Sequence, residues 1–166
     1  MRILWILPYL PWPTTSGGKT RQYQLLRSLA ARGHRITLLV QSKAVLDEAS
    51  RAVLEPLLER LIVLPRRPLK HPLTLLAALF APWPLLTSIN GLSRPLQQQF
   101  SRLLDESWDV IQIEHSYSFQ PYARLLAQRQ QPFLLTEHNL ESSLGAATYD
   151  RFPAWLRLFV RYDQWR

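Results

Sequence analysis

Five short apolar runs, separated by longer segments with helical spacing, constrain how this chain can fold more than any other feature. The runs are Ile3 to Leu7, Ile36 to Val40, Leu61 to Leu64, Val110 to Ile113 and Phe133 to Thr136. The segments with helical spacing are Thr20 to Arg32, Lys43 to Arg60 (broken near Pro56), Leu73 to Ala81, Pro95 to Glu106, Ser118 to Gln130, Asn139 to Tyr149 and Pro153 to Arg166. Strands that alternate with helices form parallel sheets covered on both faces. The alternation predicts an α/β fold, a Rossmann-like parallel sheet with helices on both faces.

Size and composition indicate one domain in a reducing compartment. The chain has 166 residues, of which 47% are hydrophobic, and this suits a single domain with one sizeable core. It contains no cysteine, which excludes disulfides and thiolate metal sites and fits a cytoplasmic location. Pro8, Pro11 and Pro13 interrupt the apolar start, so we interpret it as a first strand and not as a signal peptide. No apolar run reaches the length of about 18 residues that a membrane span needs.

The charge of the chain favours anionic partners. The formal net charge is +8, and 17 of the 20 basic residues are arginine. Nucleic acid, acidic lipid headgroups and phosphorylated small molecules all fit this balance, as does a simple solvated surface. We expect no nucleic-acid partner, because the sequence has no zinc finger, no aromatic strand of the RNA-recognition type and no helix-turn-helix.

The predicted sheet indicates where a ligand would bind. In open parallel sheets, ligands bind beyond the carboxyl ends of the strands, near the switch in strand order. The segments at that edge are Pro8 to Thr20, Gln41 to Lys43, Glu114 to Ser118 and Glu137 to Ser142.

The first of these segments contains two glycines before a helix. It includes Thr15-Ser16-Gly17-Gly18-Lys19-Thr20, at the end of a Pro- and Ser-rich stretch from Pro11 to Lys19 that predicts a loop. Glycines let a ligand approach the backbone, and a helix N-terminus favours an anion. Gly18-Lys19-Thr20 also matches the end of the P-loop motif GxxxxGK[ST], but Pro13 stands where the motif needs its first glycine. A surface turn without function is the third interpretation.

Two further strands each end in an acidic residue followed by histidine. These pairs are Glu114-His115 and Glu137-His138, and Asn139 and Glu141 follow the second pair. Histidine and carboxylate can bind zinc, but neither pair has HExxH spacing, and no third motif joins them. Such side chains suit sugar hydroxyls better, which need fixed donors and acceptors. We therefore predict a sugar-binding edge without a metal.

Three segments, in this order and spacing, resemble the N-terminal domain of family-4 retaining glycosyltransferases. The first is Ser16 to Arg21 with the following helix and Arg32-Gly33-His34. The second is Trp108-Asp109-Val110-Ile111 leading to Glu114-His115. The third, Thr136-Glu137-His138-Asn139-Leu140-Glu141-Ser142, is similar to the form found in exopolysaccharide-associated members.

The resemblance implies the N-terminal half of a GT-B fold, in which two Rossmann-like domains face each other across a cleft. Residues 1 to 166 would be the acceptor-side domain, and the C-terminal nucleotide-sugar domain would be absent. We therefore expect no transfer by this chain alone. The partners would be a nucleotide-sugar donor and a glycan or lipid-linked acceptor in polysaccharide biosynthesis, with neither metal nor cofactor.

The resemblance also implies roles for individual residues. His138 matches the catalytic histidine near the reacting sugar, and Gly17 and Gly18 match the loop that approaches the donor phosphates. The residues that match acceptor- or sugar-binding positions are Lys19, Arg21, Glu114, His115, Asn139 and Glu141.

One apolar segment lies outside these motifs. Lys70 to Leu86 is interrupted by prolines and preceded by Arg66 and Arg67. It predicts either a core helix with a loop or a surface that contacts an anionic membrane, since basic residues beside exposed apolar ones suit a bilayer interface. The second interpretation would make the protein peripheral on the inner membrane face.

Overall fold

A computed structural model describes residues 1–67, 71–80 and 93–137, together with Leu158, Arg161, Tyr162 and Trp165. The elements are β1 (Arg2–Leu7), α1 (Gly17–Ala31), β2 (Arg35–Ser42), α2 (Glu48–Leu54), a 3-10 turn (Glu55–Leu57), β3 (Arg60–Pro65), α3 (Pro72–Phe80), α4 (Arg94–Leu103), β4 (Val110–Glu114), α5 (Ser116–Arg129) and β5 (Leu134–Thr136). The predicted helix Asn139 to Tyr149 lies outside the described residues. The predicted helix Pro153 to Arg166 is described only at the four single positions, which are helical.

The five strands form one parallel sheet in the order β3-β2-β1-β4-β5. The chain runs outward from β1 to β3, and then returns to pair β4 with the other side of β1. The switch in strand order therefore lies between β1 and β4. This topology confirms the predicted Rossmann-like α/β fold.

Helices cover both faces of the sheet because β1 and β2 are apolar on both sides. Trp5 and Leu38 pack with Leu26 of α1 and Leu54 of α2 on one face. On the opposite face, Leu4 packs with Phe100 of α4 and Tyr122 of α5. The rings of Phe100 and Tyr122 meet edge to face, with 4.8 Å between their centroids. Burial on both faces is the arrangement expected of parallel strands joined by crossover helices.

Four predicted helices differ from the structure by two or more residues at one end or both. Helix α4 ends at Leu103 and not at Glu106. Helix α1 begins at Gly17 and not at Thr20, because the Ser16 hydroxyl accepts a hydrogen bond from the Lys19 amide. The prediction that the loop extends to Lys19 is therefore wrong. Helix α5 begins at Ser116 and not at Ser118.

The predicted helix from Lys43 to Arg60 is too long at both ends, since only α2 and the 3-10 turn are helical, and the predicted break near Pro56 is confirmed. Asp47 starts α2 by accepting a hydrogen bond from the Ser50 amide at 2.7 Å. The hydrogen bond from the Ser50 side chain lowers the pKa of the Asp47 carboxyl. Pro56 lies in the 3-10 turn, since proline has no amide hydrogen to continue the helix, and β3 already begins at Arg60.

The long proline-rich segment is partly described. Helix α3, Pro72–Phe80, agrees with the predicted helix Leu73 to Ala81 within one residue at each end. No helix in the described part of the chain is long and apolar enough to cross a membrane.

Ion pairs connect the strands at the amino edge of the sheet, opposite the predicted ligand edge. Glu106 contacts the guanidinium groups of Arg2 at 3.0 Å and Arg60 at 2.8 Å. Asp109 accepts a hydrogen bond from the Arg2 amide at 2.6 Å, and the Trp108 indole donates one to the Leu103 carbonyl. The Trp108-Asp109 part of the family-like motif therefore joins β1 to β4.

This network predicts a change in stability at low pH. The Arg60 hydrogen bond lowers the pKa of the Glu106 carboxyl below its ordinary value of 4.5. Its contribution is therefore present above the unfolded-state pKa and is lost as the pH falls through the folded-state pKa. We expect Glu106→Gln to remove about 1 kcal/mol of unfolding free energy near neutral pH and almost none at about pH 3. Urea titrations at both pH values measure this difference.

Glu48→Gln is the matched control, because the Glu48 side chain is 91% exposed and lies 3.8 Å from Arg51. Equal pH dependence in the two variants would show that the Glu106 network adds nothing to stability.

Candidate functional site

The switch point between β1 and β4 brings Tyr9 and His115 together. Tyr9 follows β1 and His115 follows β4, so parallel pairing of these strands places both at the same edge. The Tyr9 hydroxyl lies 3.0 Å from His115 Nε2. The His115 ring also stacks on Tyr117 at 5.1 Å between centroids. His115 is 5% exposed, so its imidazole is packed against these two aromatic side chains with only a small part of the residue open to solvent.

The backbone of His115 has an unusual conformation. Its φ is 69° and its ψ is 126°, a combination that a non-glycine residue adopts only at a cost of about 1–3 kcal/mol. Neighbouring hydrogen bonds enforce it: the His115 amide donates to the Thr136 carbonyl at 2.9 Å, and the Ser118 hydroxyl donates to the carbonyls of Glu114 and His115. Such conformations cluster at functional sites, where they direct a side chain towards a ligand.

Glu114, predicted to contact the acceptor, lies in the interior. Its side chain is fully buried, and its carboxylate accepts hydrogen bonds from the Trp5 indole at 3.0 Å and from the Gln112 amide. The Arg21 guanidinium lies 3.8 Å from the other carboxylate oxygen. These contacts join β1, β4 and α1 below the switch point. Glu114 is therefore an interior residue, whereas His115, the next residue, lies at the carboxyl edge of the sheet.

Glu137, the acidic residue of the second acid–histidine pair, contacts the backbone of a neighbouring helix. The Glu137 carboxylate accepts a hydrogen bond from the Ser116 amide, at the N-terminus of α5. A negative charge there is favourable because helix N-termini carry a partial positive charge. His138, Asn139 and Glu141, which follow it in the sequence, lie outside the described residues.

The two predicted phosphate-loop glycines occupy the first turn of α1 and have different surroundings. A Cβ at Gly17 would meet nothing within 4 Å, whereas a Cβ at Gly18 would lie 3.0 Å from the Tyr9 hydroxyl. Gly18 thus packs directly against the Tyr9–His115 pair. Since the N-terminus of a 15-residue helix favours anions, the predicted role of this segment is physically consistent with its position.

A pocket of about 220 Å³ opens beside this pair, at the carboxyl ends of β1 and β2. We call it the basic pocket, and the residues that characterise it are Tyr9, Trp12, Lys19, Lys43, Asp47 and Arg66. A wider depression of about 460 Å³ adjoins it on the β3 side.

Sequence reasoning nominated Lys19 but not Tyr9, Trp12, Lys43 or Arg66. The strand-end rule had selected the segments containing Tyr9, Trp12 and Lys43, so position was the available signal. Arg66 gave no such signal because β3 lies two strands from the switch.

Among residues 1–67, 71–80 and 93–137 and the four single positions, no three acidic or histidine side chains are grouped closely enough to bind a metal.

The parallel sheet with its switch point between β1 and β4 defines a Rossmann-like α/β domain. The family model for the glycosyl transferase 4-like domain matches residues 16–165, and the chain belongs to this family. The family explains why the three motifs resemble those of glycosyltransferases.

Comparison with individual proteins adds little. Among solved structures, the chain is similar to the C-terminal domain of a hydrogenase from Pyrococcus furiosus, with 17% identity over 81% of this chain and 89% of that one and a TM-score of 0.49. None of the curated protein sequences matches the chain.

Proposed function

We propose that the chain is the acceptor-side domain of a retaining glycosyltransferase that transfers a sugar from a nucleotide-sugar to a glycan or lipid-linked acceptor in polysaccharide biosynthesis. The observation that carries this proposal is the family match over residues 16–165, together with the position of Gly17 and Gly18 beside the Tyr9–His115 pair. The enzyme would act in the cytoplasm and need neither metal nor cofactor.

In this proposal, different residues serve the donor and the acceptor. The amides at the N-terminus of α1 stabilise the leaving diphosphate, since fixed N–H donors favour developing negative charge. His138 positions the transferred sugar, with Asn139 and Glu141 nearby in the sequence. His115, which contacts Tyr9 and Tyr117, binds the acceptor through the small part of it that is exposed. Lys19 and Arg21 supply positive charge, and Glu114 supports the site from within.

The donor would bind mainly to a second Rossmann-like domain, so this chain alone should bind nucleotide-sugars weakly and transfer no sugar. The competing P-loop interpretation loses support from the local contacts. The Thr20 hydroxyl donates to the Ser16 carbonyl at 3.0 Å, and proline occupies the place of the first glycine. A nucleic-acid partner remains without a supporting motif.

Calorimetric titration tests this division of roles. We expect UDP- and GDP-sugars to bind this chain with Kd values of about 1 mM or weaker, equivalent to about −4 kcal/mol. Binding of ATP–magnesium in the micromolar range would instead establish Gly18, Lys19 and Thr20 as a nucleotide phosphate site and overturn the proposal. Sugar transfer by the chain alone would contradict the two-domain assignment.

We further propose that α3 contacts an anionic membrane surface. Leu73, Leu76 and Phe80 have helical spacing and are 50%, 51% and 80% exposed. Arg66 and Arg67 precede the helix. An exposed apolar helix face with cations shortly before it in the sequence suits binding at the headgroup boundary of anionic lipids.

Vesicle sedimentation tests this contact. We expect binding to phosphatidylcholine vesicles that contain phosphatidylglycerol, and about tenfold weaker binding for Phe80→Ser because an exposed phenyl ring no longer enters the bilayer boundary. Leu134→Ser is the matched control, since Leu134 is 58% exposed on β5, at the other end of the strand order from β3. Equal losses for both variants, or no preference for anionic vesicles, would refute the contact.

A further inference from the structure

The basic pocket is lined by more positive than negative side chains. Lys19, Lys43 and Arg66 line it together with a single acidic residue, Asp47. The Asp47 carboxylate accepts the hydrogen bond from the Ser50 amide that starts α2, so it is directed into its own helix. No ion pair engages the three cations within the described part of the chain.

Cations at the opposite edge of the sheet behave differently. Arg2 and Arg60 share Glu106, and Arg35 pairs with Glu59. These arginines at the amino edge have carboxylate partners, as does Arg21 at the ligand edge, whereas the ion pairs of the described residues include none of Lys19, Lys43 and Arg66. Because like charges repel, three cations around one pocket stabilise an anion there and are unfavourable without one.

The walls of the basic pocket are fixed by hydrogen bonds and ring contacts. The Arg66 amide donates to the Ser42 carbonyl at 2.9 Å, and the Ala44 amide donates to the Ser42 hydroxyl at 3.0 Å. Trp12 packs on Tyr23 of α1 with 4.9 Å between ring centroids. The cations thus extend from anchored backbone, as preorganised anion sites require.

Size and position indicate which part of a substrate enters. The volume of about 220 Å³ is below the range of about 300–1,000 Å³ for pockets that enclose a whole drug-sized ligand, so it suits a headgroup. Tyr9 lines the basic pocket, while its hydroxyl contacts His115 across the switch point. A molecule with its anionic end in the basic pocket could therefore extend past Tyr9 towards His115.

We infer that the basic pocket binds a phosphate group carried by the acceptor, through Lys19, Lys43 and Arg66, and so orients the acceptor towards the switch point. This inference rests on the proposed glycosyl transfer, but the pocket itself can be tested by binding alone. Arg66 supplies planar paired donors that match phosphate oxygens, and the two lysines supply point charges.

NMR titration of the chain with glycerol 3-phosphate tests the inference. We expect shifts of the Lys43 and Ala44 amides, none with glycerol, and about tenfold weaker affinity in Arg66→Gln, because a charge-assisted hydrogen bond is lost. Arg124→Gln is the matched control: Arg124 is exposed on α5, outside the basic pocket, and the substitution removes the same charge. Equal weakening in both variants would indicate general charge attraction and overturn the inference.

Two further arms separate the sources of the phosphate. If UDP shifts the same two amides at lower concentration than glycerol 3-phosphate, the basic pocket belongs to the donor and the acceptor assignment is wrong. Neutral vesicles carrying a polyprenyl phosphate should bind with the same dependence on Arg66 if the acceptor is lipid-linked. If only the soluble phosphate binds in this way, the inference stands with a soluble phosphorylated acceptor.

The outcomes distinguish this inference from the proposed function. If the enzyme transfers sugar but Arg66→Gln binds glycerol 3-phosphate as tightly as the unmodified chain, only the inference is rejected. Arg66-dependent phosphate binding in a protein whose longer form transfers no sugar would leave an anion site but reject its assignment to a glycosyl acceptor.

Discussion

Replacing Glu114 by alanine is expected to lower the free energy of unfolding by about 3–4 kcal/mol. The substitution leaves the buried Trp5 indole N–H and the Gln112 amide without their acceptor, and each unsatisfied donor costs about 1–3 kcal/mol. It also leaves a cavity between β1, β4 and α1. Glu114→Gln retains the volume and one acceptor oxygen, so it should cost about 1–2 kcal/mol. Urea unfolding followed by circular dichroism measures both values.

Glu137→Ala is the matched control, because Glu137 is the acidic residue after the neighbouring strand and is exposed. It loses only the contact with the Ser116 amide, worth about 0.3–1 kcal/mol. If Glu114→Ala unfolded at the same urea concentration as the unmodified chain but lost acceptor binding, Glu114 would contact the ligand directly. The glutamine variant keeps the comparison available if the alanine variant does not fold.

The fold could be predicted from the sequence because the spacing of apolar residues distinguishes strands from helices. Each strand prediction lies within two residues of the observed strand, and alternation with helices correctly indicated a parallel sheet. The predicted helix from Lys43 to Arg60 was too long, because the capping bond of Asp47 sets its start and β3 already begins at Arg60, although the break near Pro56 was predicted correctly.

The site was harder to predict than the fold, since neither periodicity nor motif shows where a side chain is directed. Glu114 and Glu137 precede histidines and suggested two equivalent pairs, yet one carboxylate is buried against Trp5 and the other binds the start of α5. The contact between Tyr9 and His115 joins residues 106 positions apart. It depends on β1 and β4 becoming neighbours, which a single sequence predicts only through the rule about strand order.

The basic pocket shows the same limit. Lys43 and Arg66 follow different strands, and neither belongs to a recognisable motif. Net charge predicted an anionic partner but not its place, because the arrangement depends on which arginines find carboxylates at the other edge. The inferred anion site therefore depends on the described contacts and not on composition alone.

Gly18→Ala is expected to disturb the switch point, and Gly17→Ala is its matched comparison. Both glycines lie in the first turn of α1, where alanine should favour the helix by about 0.5–1 kcal/mol. At Gly18, however, the added methyl group would lie 3.0 Å from the Tyr9 hydroxyl, which in turn is 3.0 Å from His115 Nε2. We therefore expect Gly17→Ala to raise the free energy of unfolding and Gly18→Ala to lower it by about 1–2 kcal/mol.

A double-mutant cycle with Tyr9→Phe identifies the cause. The phenylalanine lacks the hydroxyl that the methyl group would meet, so Gly18→Ala should no longer be destabilising in that background. The same loss in both backgrounds would exclude Tyr9 as the obstacle. In the transferring enzyme, Gly18→Ala should reduce turnover by about tenfold, because the Tyr9 hydroxyl must move by a few tenths of an ångström and its contact with His115 changes with it. Full turnover in a correctly folded Gly18→Ala enzyme would show that the Tyr9–His115 contact is structural, and would move the acceptor site away from the switch point.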